Sequence, residues 1–150
     1  MTYWDPIPIV RACVPGEPLP GNAHWVPAYS PPWGAWPDAW ARRDWRNVPG
    51  PFYGAGTDTC WVGREVAPAH VLHNDDSGDE FVYRQPRDAQ ETYRVIAAAF
   101  QDPMAGYQCD GDERWTPELV RQWWSERGRV REFRLENGRP ALPGEALPEL

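Results

Sequence analysis

Ala69-His70-Val71-Leu72-His73-Asn74-Asp75-Asp76-Ser77-Gly78-Asp79-Glu80-Phe81-Val82-Tyr83-Arg84 is the stretch that decides the fold. Two runs rich in β-branched and aromatic residues, 69–73 and 80–84, flank a polar connection that contains a glycine, which is the pattern of a β-hairpin. Pro86 ends the second strand, because proline has no N–H to give to a ladder. Just beyond it, Asp88 is placed to cap a helix running to about Gln101, with Tyr93, Ile96, Ala97 and Phe100 on one face and Pro103 after the stop. Strands and helices are mixed rather than repeated as β-α-β units, and no internal repeat is present. The expectation is α+β: a small antiparallel sheet, two main helices, and an irregular Pro/Trp-rich N-terminal segment wrapped on the body.

Downstream, Thr116-Pro117-Glu118 reads as a helix start, with a capping hydroxyl, proline at the first helical position and a carboxylate at the positive dipole end. Leu119, Val120, Trp123 and Trp124 form its apolar stripe, and Gly128 is positioned to close it in the left-handed conformation. Trp123 and Leu119 are expected to share one core with Ile96 and Phe100. Val130, Phe133 and Leu135 lead to a turn at Asn137-Gly138, and residues 143–150 read as a frayed tail.

Upstream, residues 1–51 hold eleven of the eighteen prolines and six of the ten tryptophans. Proline fixes φ and removes donors, so sheet and long helix are disfavoured there, and six tryptophans exceed what a solvated linker needs. One short helix is expected from Pro37 to Arg46. Phe52-Tyr53-Gly54-Ala55-Gly56 reads as a Gly-rich turn leading into a short strand over 57–62. The organisation is thus a single domain over 1–150, divided into a segment 1–51, a body 52–142 and a tail 143–150.

At 150 residues and 13% aromatic, the chain suits one core. Its start lacks the basic and apolar regions of a secretion signal, and no run reaches the roughly 20 apolar residues of a membrane span, so a soluble cytoplasmic protein is expected. Cys13, Cys60 and Cys109 are odd in number and widely spaced, the pattern of reduced thiols rather than of a disulfide scaffold or a CxxC metal site.

The charge is concentrated. Residues 75–118 carry −7, the whole formal net charge, while 1–74 carry −1 and 119–150 carry +1. A field of that sign attracts basic surfaces and repels nucleic-acid backbones. The expected function is an acidic interaction module, most concretely an inhibitor or immunity-type protein that occludes a basic protein partner. No membrane or nucleic-acid partner is expected. Its contact residues are expected to be Asp75, Asp76, Asp79, Glu80, Asp110, Asp112 and Glu113, forming one exposed acidic surface, with Trp33, Trp36 and Trp40 as aromatic anchors.

Two alternatives involve chemistry or a pocket. A small enzyme would use Cys60 as nucleophile, His70 or His73 as base and Asp58 as orienter, which requires a thiol within reach of the base. A small-ligand binder would stack a flat molecule on Trp and Tyr rings in an apolar pocket. No cofactor or metal is expected. His70 and His73 are three apart in a strand and so point to opposite faces, one half-buried and one exposed. Asp110-Gly111-Asp112-Glu113 lacks the spacing of a calcium loop and reads as a solvated turn. Gly50–Gly56 lacks the Lys-Ser/Thr of a phosphate-binding loop.

Overall fold

The computed structural model describes residues 4–14, 17–20, 33 and 37–136, with side chains through residue 129. In chain order the elements are α1 (Ile7–Ala12), α2 (Ala39–Arg42), β1 (Tyr53–Gly54), α3 (Val62–Val66), β2 (Val71–His73), β3 (Glu80–Val82), α4 (Ala89–Gln101), β4 (Tyr107–Gln108), α5 (Gly111–Arg114) and α6 (Pro117–Glu136). Helices combine with two small antiparallel sheets, β1 with β4 and β2 with β3, in an α+β fold. Among the described residues, no helix is long and apolar enough to cross a membrane.

The hairpin forms where its sequence pattern lies. Val71 pairs with Val82, Leu72 with Phe81 and His73 with Glu80. Asn74 organises the turn: its N–H donates to the Asp79 carbonyl at 2.7 Å, its carbonyl accepts from the Gly78 N–H at 2.6 Å, and its Oδ1 accepts from the Asp76 N–H at 2.9 Å. Gly78, at φ 82°, supplies the left-handed residue that the turn needs.

β1 and β3 contact each other without a backbone ladder. The buried Asn47 side chain joins them instead. Its Oδ1 accepts from the Gly54 N–H at 2.9 Å and the Val82 N–H at 2.8 Å, while its Nδ2 donates to the Asp44 and Gly54 carbonyls, each at 2.8 Å. Every hydrogen-bonding position of the amide is thereby filled, which removes the cost of burying it. Gln85 acts similarly, its Oε1 accepting from the Phe52 N–H at 3.2 Å and its Nε2 donating to the Phe52 carbonyl at 2.8 Å.

α4 is capped as expected, Asp88 Oδ1 accepting from the Glu91 N–H at 2.8 Å. Burial extends over Val95–Phe100 without a break, wider than a single stripe, because both α3 and α1 pack on this helix. The main core gathers Phe52, Val66, Val71, Val82, Ile96 and Tyr107 around it.

Several expectations are corrected. Besides the one short helix expected within 1–51, α1 forms there despite Pro6 and Pro8, since proline is tolerated in the first turn. The Pro37–Arg46 helix shortens to Ala39–Arg42. No strand occupies 57–62; Asp58 Oδ2 accepts from the Cys60 N–H at 3.0 Å, a local turn that competes with extended pairing, and α3 follows. The segment 110–113 is the start of α5 rather than a bare turn.

α6 starts as read, Thr116 Oγ1 accepting from the Leu119 N–H at 3.2 Å. It then continues through Gly128 to Glu136. A glycine inside a helix costs only about 1 kcal/mol, and the Arg- and Glu-rich run after it propagates the helix. Trp123 is buried, but with Val48, Trp115 and Trp124, in a cluster separate from that of Ile96 and Phe100. The shared core expected for Trp123, Leu119, Ile96 and Phe100 therefore does not form. Trp36, the turn at Asn137-Gly138 and the tail 143–150 lie outside the described residues.

Candidate functional site

The loop from Thr57 to Arg64 leaves β1 and enters α3, and a buried carboxylate holds each end. At its start, Asp102 Oδ1 accepts from the Asp58 N–H at 2.9 Å, while the same carboxylate takes the Met104 and Gly106 N–H groups at 3.0 and 2.8 Å. At its end, Glu80 Oε1 accepts from the Gly63 N–H at 3.1 Å and Oε2 from the Arg64 N–H at 2.6 Å. The fully buried Tyr107 hydroxyl also donates to Glu80 Oε1, at 2.8 Å. Gly63 is required here, because a Cβ would collide with the Tyr107 hydroxyl and lie 2.6 Å from Glu80 Oε1.

Electrostatics follow from that burial. Desolvation pushes the Glu80 carboxyl up to about 7, against the three donors that favour its ionised form. Asp102 is raised for the same reason, again against its N–H donors. Tyr107 is driven well above its ordinary value by burial and by Glu80, so its hydroxyl stays protonated and donates.

Between the two clamps the loop presents Trp61. Its backbone is left-handed, at φ 66° and ψ 25°, and 48% of the residue is exposed. The indole stacks on the buried His73 ring at 4.6 Å between centroids and 18° between planes. His73 Nε2 lies 2.9 Å from Asp75 Oδ1 in the hairpin turn, beside the exposed Asp76. An exposed aromatic ring is thus joined, through His73, to the acidic turn.

The expected contact residues are dispersed. Asp75 and Asp76 are exposed and Asp79 half-exposed, but Glu80 is buried and belongs to the interior. It heads the run 80–84 read as the second strand, as the structure has it, but its side chain was expected on the acidic surface and is instead turned inward, opposite His73 in the ladder. Asp112 and Glu113 are exposed on α5, while Asp110 is half-buried, Oδ1 accepting from the Tyr53 hydroxyl at 2.7 Å. α5 is tied to Pro51 through the Gly111 N–H, and neighbouring Gly50 abuts Gln85. The hairpin turn thus adjoins one end of the run 79–85, while α5 is linked towards the other end through Pro51, Gly50 and Gln85.

The aromatic anchors are also reassigned. Trp33 packs into the core, 5.8 Å from Phe52 and 6.2 Å from Phe100. Trp40 sits edge-on to Tyr53 and Trp115, each at 5.3 Å, under the Arg43 guanidinium. Trp45, 37% exposed, carries Arg46 and Arg129 on its ring at 4.6 and 4.1 Å. Trp61, with Trp45, is an exposed tryptophan among the described residues that the sequence pattern did not single out; its signal was the broken strand pattern around Asp58.

Of the residues of the thiol-enzyme alternative, Asp58 and Cys60 lie together, the Asp58 carboxylate accepting from both the thiol and the backbone N–H of Cys60. Cys60 is exposed, and Asp58 raises its thiol through its negative charge and a hydrogen bond, the opposite of activation. His70 and His73 are both buried, correcting the expectation that one is exposed. His70 Nδ1 lies 2.9 Å from the Arg84 carbonyl, and burial lowers its pKa. Among the described residues, no three His, Cys, Asp or Glu side chains converge in a way that could hold a metal ion. A shallow cleft of about 150 Å³, lined by Ile9, Cys13, Val14, Leu19 and Tyr93, is smaller than the roughly 300–1,000 Å³ of small-molecule sites. Comparison of the chain with protein-family models, curated proteins and solved structures finds no match.

Proposed function

We propose that this chain is a protein–protein interaction module whose hairpin turn and Trp61 ring dock a basic protein surface, the concrete case being an inhibitor or immunity-type protein that occludes its target. The observation that carries the reading is Trp61 itself: half-exposed, left-handed, and stacked at 4.6 Å on His73 beside the acidic turn. A ring already fixed by its backbone and its stacking partner loses little conformational entropy when it docks. Tryptophan is among the side chains that dominate binding energy, and an arginine or lysine laid over an indole gains a cation–π contact. Asp75, Asp76 and Asp79 would steer such a partner and receive its charged groups.

The test is capture from an extract of the native host with wild-type protein, Trp61→Ala and the double variant Asp75→Asn/Asp76→Asn, followed by binding measurements on the purified captured protein. A basic protein is expected that binds wild type and loses at least tenfold in affinity for Trp61→Ala. For the double variant its association should slow, an effect that salt on the wild type reproduces. Equal binding to all three forms would refute the reading.

A further inference from the structure

Trp40, Trp45 and Trp124, all partly exposed, each carry an arginine of the chain on the ring. The Arg43 guanidinium carbon lies 3.8 Å from the centre of the Trp40 ring and that of Arg127 3.8 Å from the centre of Trp124, while Arg46 and Arg129 lie 4.6 and 4.1 Å from Trp45. Trp61 is more exposed than any of these, yet among the described residues no arginine lies on it. One face of its indole is taken by His73, so the exposed area belongs to the other face and the rim.

The loop that carries Trp61 and the hairpin turn make one surface. Gly78 of the turn sits against Thr59 of the loop, where a Cβ on the glycine would lie 3.0 Å from the Thr59 Cβ, and the Glu80 N–H donates to Thr57 Oγ1 at 2.7 Å. Residues 57–61 and 74–79 contribute Asp58, Asp75, Asp76 and Asp79 to this surface and no arginine or lysine. Asp58 and Asp75 are engaged with Cys60 and His73. Asp76 is exposed, and among the described residues no cation pairs with it or with Asp79. An uncovered indole among uncompensated carboxylates is the complement of a guanidinium, in a chain that covers other partly exposed indoles with its own.

We infer that the open side of Trp61 is an arginine-binding subsite: a guanidinium of the partner lies on the indole, opposite His73, and turns its N–H edge to the carboxylates of the hairpin turn. This rests on the docking role of Trp61 proposed above and narrows the partner to a protein that presents an arginine. The preference over lysine has a physical cause. A guanidinium is planar and weakly hydrated, so it stacks on a ring at little desolvation cost and still has a fork of N–H groups free for a carboxylate. An ammonium is a compact, strongly hydrated ion that gives up water to reach the ring and has no flat face to lay on it. The stack on His73 and the bonds from Glu80 to the Gly63 and Arg64 N–H groups fix the indole before the guanidinium arrives.

The experiment is an NMR titration of the isotope-labelled full chain with three end-blocked pentapeptides in which glycine alternates with arginine, with lysine or with citrulline. The Trp61 indole N–H and the backbone amides of residues 74–79 report binding. The arginine peptide is expected to bind about threefold or more tightly than the lysine peptide of equal charge, its side-chain methylene protons moving upfield over the indole face. The citrulline peptide, planar but neutral, should not bind. Trp61→Leu should bring the arginine peptide down to the level of the lysine peptide. Asp76→Asn/Asp79→Asn, which leaves the contact of His73 with Asp75 in place, should weaken both. The wild-type comparison stands by itself if Trp61→Leu does not fold. Equal affinities for arginine and lysine, or no binding of the arginine peptide, would overturn the subsite, as would an arginine preference that survives Trp61→Leu. An arginine preference with a captured partner indifferent to Trp61→Ala would uphold the subsite and reject only the docking role. A Trp61-dependent partner with no arginine preference among the peptides would do the reverse.

Discussion

Trp61 occupies a left-handed backbone conformation, φ 66° and ψ 25°, that a residue with a Cβ adopts at a cost of about 1–2 kcal/mol. The stack on His73 and the Glu80 clamp two residues beyond hold it there. Replacing the ring by alanine or by glycine removes the same contact with His73, but only alanine keeps the backbone cost. Trp61→Gly is therefore expected to be more stable than Trp61→Ala by about 1 kcal/mol in chemical denaturation. Equal midpoints, or a more stable alanine variant, would mean that the left-handed conformation does not persist in solution. Single residues such as Asp88 and Thr116 were legible in the sequence because a cap acts on its own next turn. Glu80 and Asn47 were not, because the partners that matter, Val82 for Asn47 and Tyr107 for Glu80, are 35 and 27 residues away along the chain.

α4 and α6 are both long, yet they are held differently. α4 is buried along Val95–Phe100 between α1 and α3, whereas α6 attaches through Trp123, Trp124 and the Trp45–Arg129 stack. The Trp115 and Trp123 indole N–H groups are buried there without an acceptor among the described residues, and a donor left in that state costs about 1–3 kcal/mol. Trp123→Ala is expected to cost about 3–5 kcal/mol locally. Hydrogen exchange should then show α6 amides losing protection while those of α4 keep theirs. Loss of protection in both helices together would place Trp123 in the main core after all. The helix starts were readable from local chemistry, but the end of α6 was not, because Gly128 competes with a long helix-forming run whose summed propensity wins. The strand expected over 57–62 failed for a related reason: Asp58 satisfies the Cys60 N–H locally, and the Asp58 N–H goes to the Asp102 carboxylate rather than to a strand.

Across the whole molecule, two buried titratable groups pull stability in opposite directions with pH. Burial raises Glu80 to about 7 from an ordinary 4.5, so its contribution is fully present below 4.5 and is lost as pH rises through 7. Burial lowers His70, so its contribution is present above its ordinary 6.5 and is lost as pH falls through its folded value. The stability of wild type relative to Glu80→Gln is accordingly expected to decline from about pH 5 to pH 8 in urea denaturation. A relative stability that increases over that range would show that the donors around Glu80 outweigh its desolvation. By itself, the sequence determined the α+β class, the hairpin and its turn, the capped starts of α4 and α6, and a surplus of negative charge in residues 75–118. Each of these depends on periodicity, caps or composition, which act over a few residues or need no geometry at all. Only the tertiary structure decided that the Glu80 side chain turns from the acidic surface into the interior, that Trp33 and Trp40 are packed while Trp61 is presented, and that α5 is linked to the hairpin through Pro51, Gly50 and Gln85. Burial and proximity depend on which distant segments meet, and hydrogen bonds from Asn47, Gln85 and Glu80, which no local pattern encodes, set those meetings here.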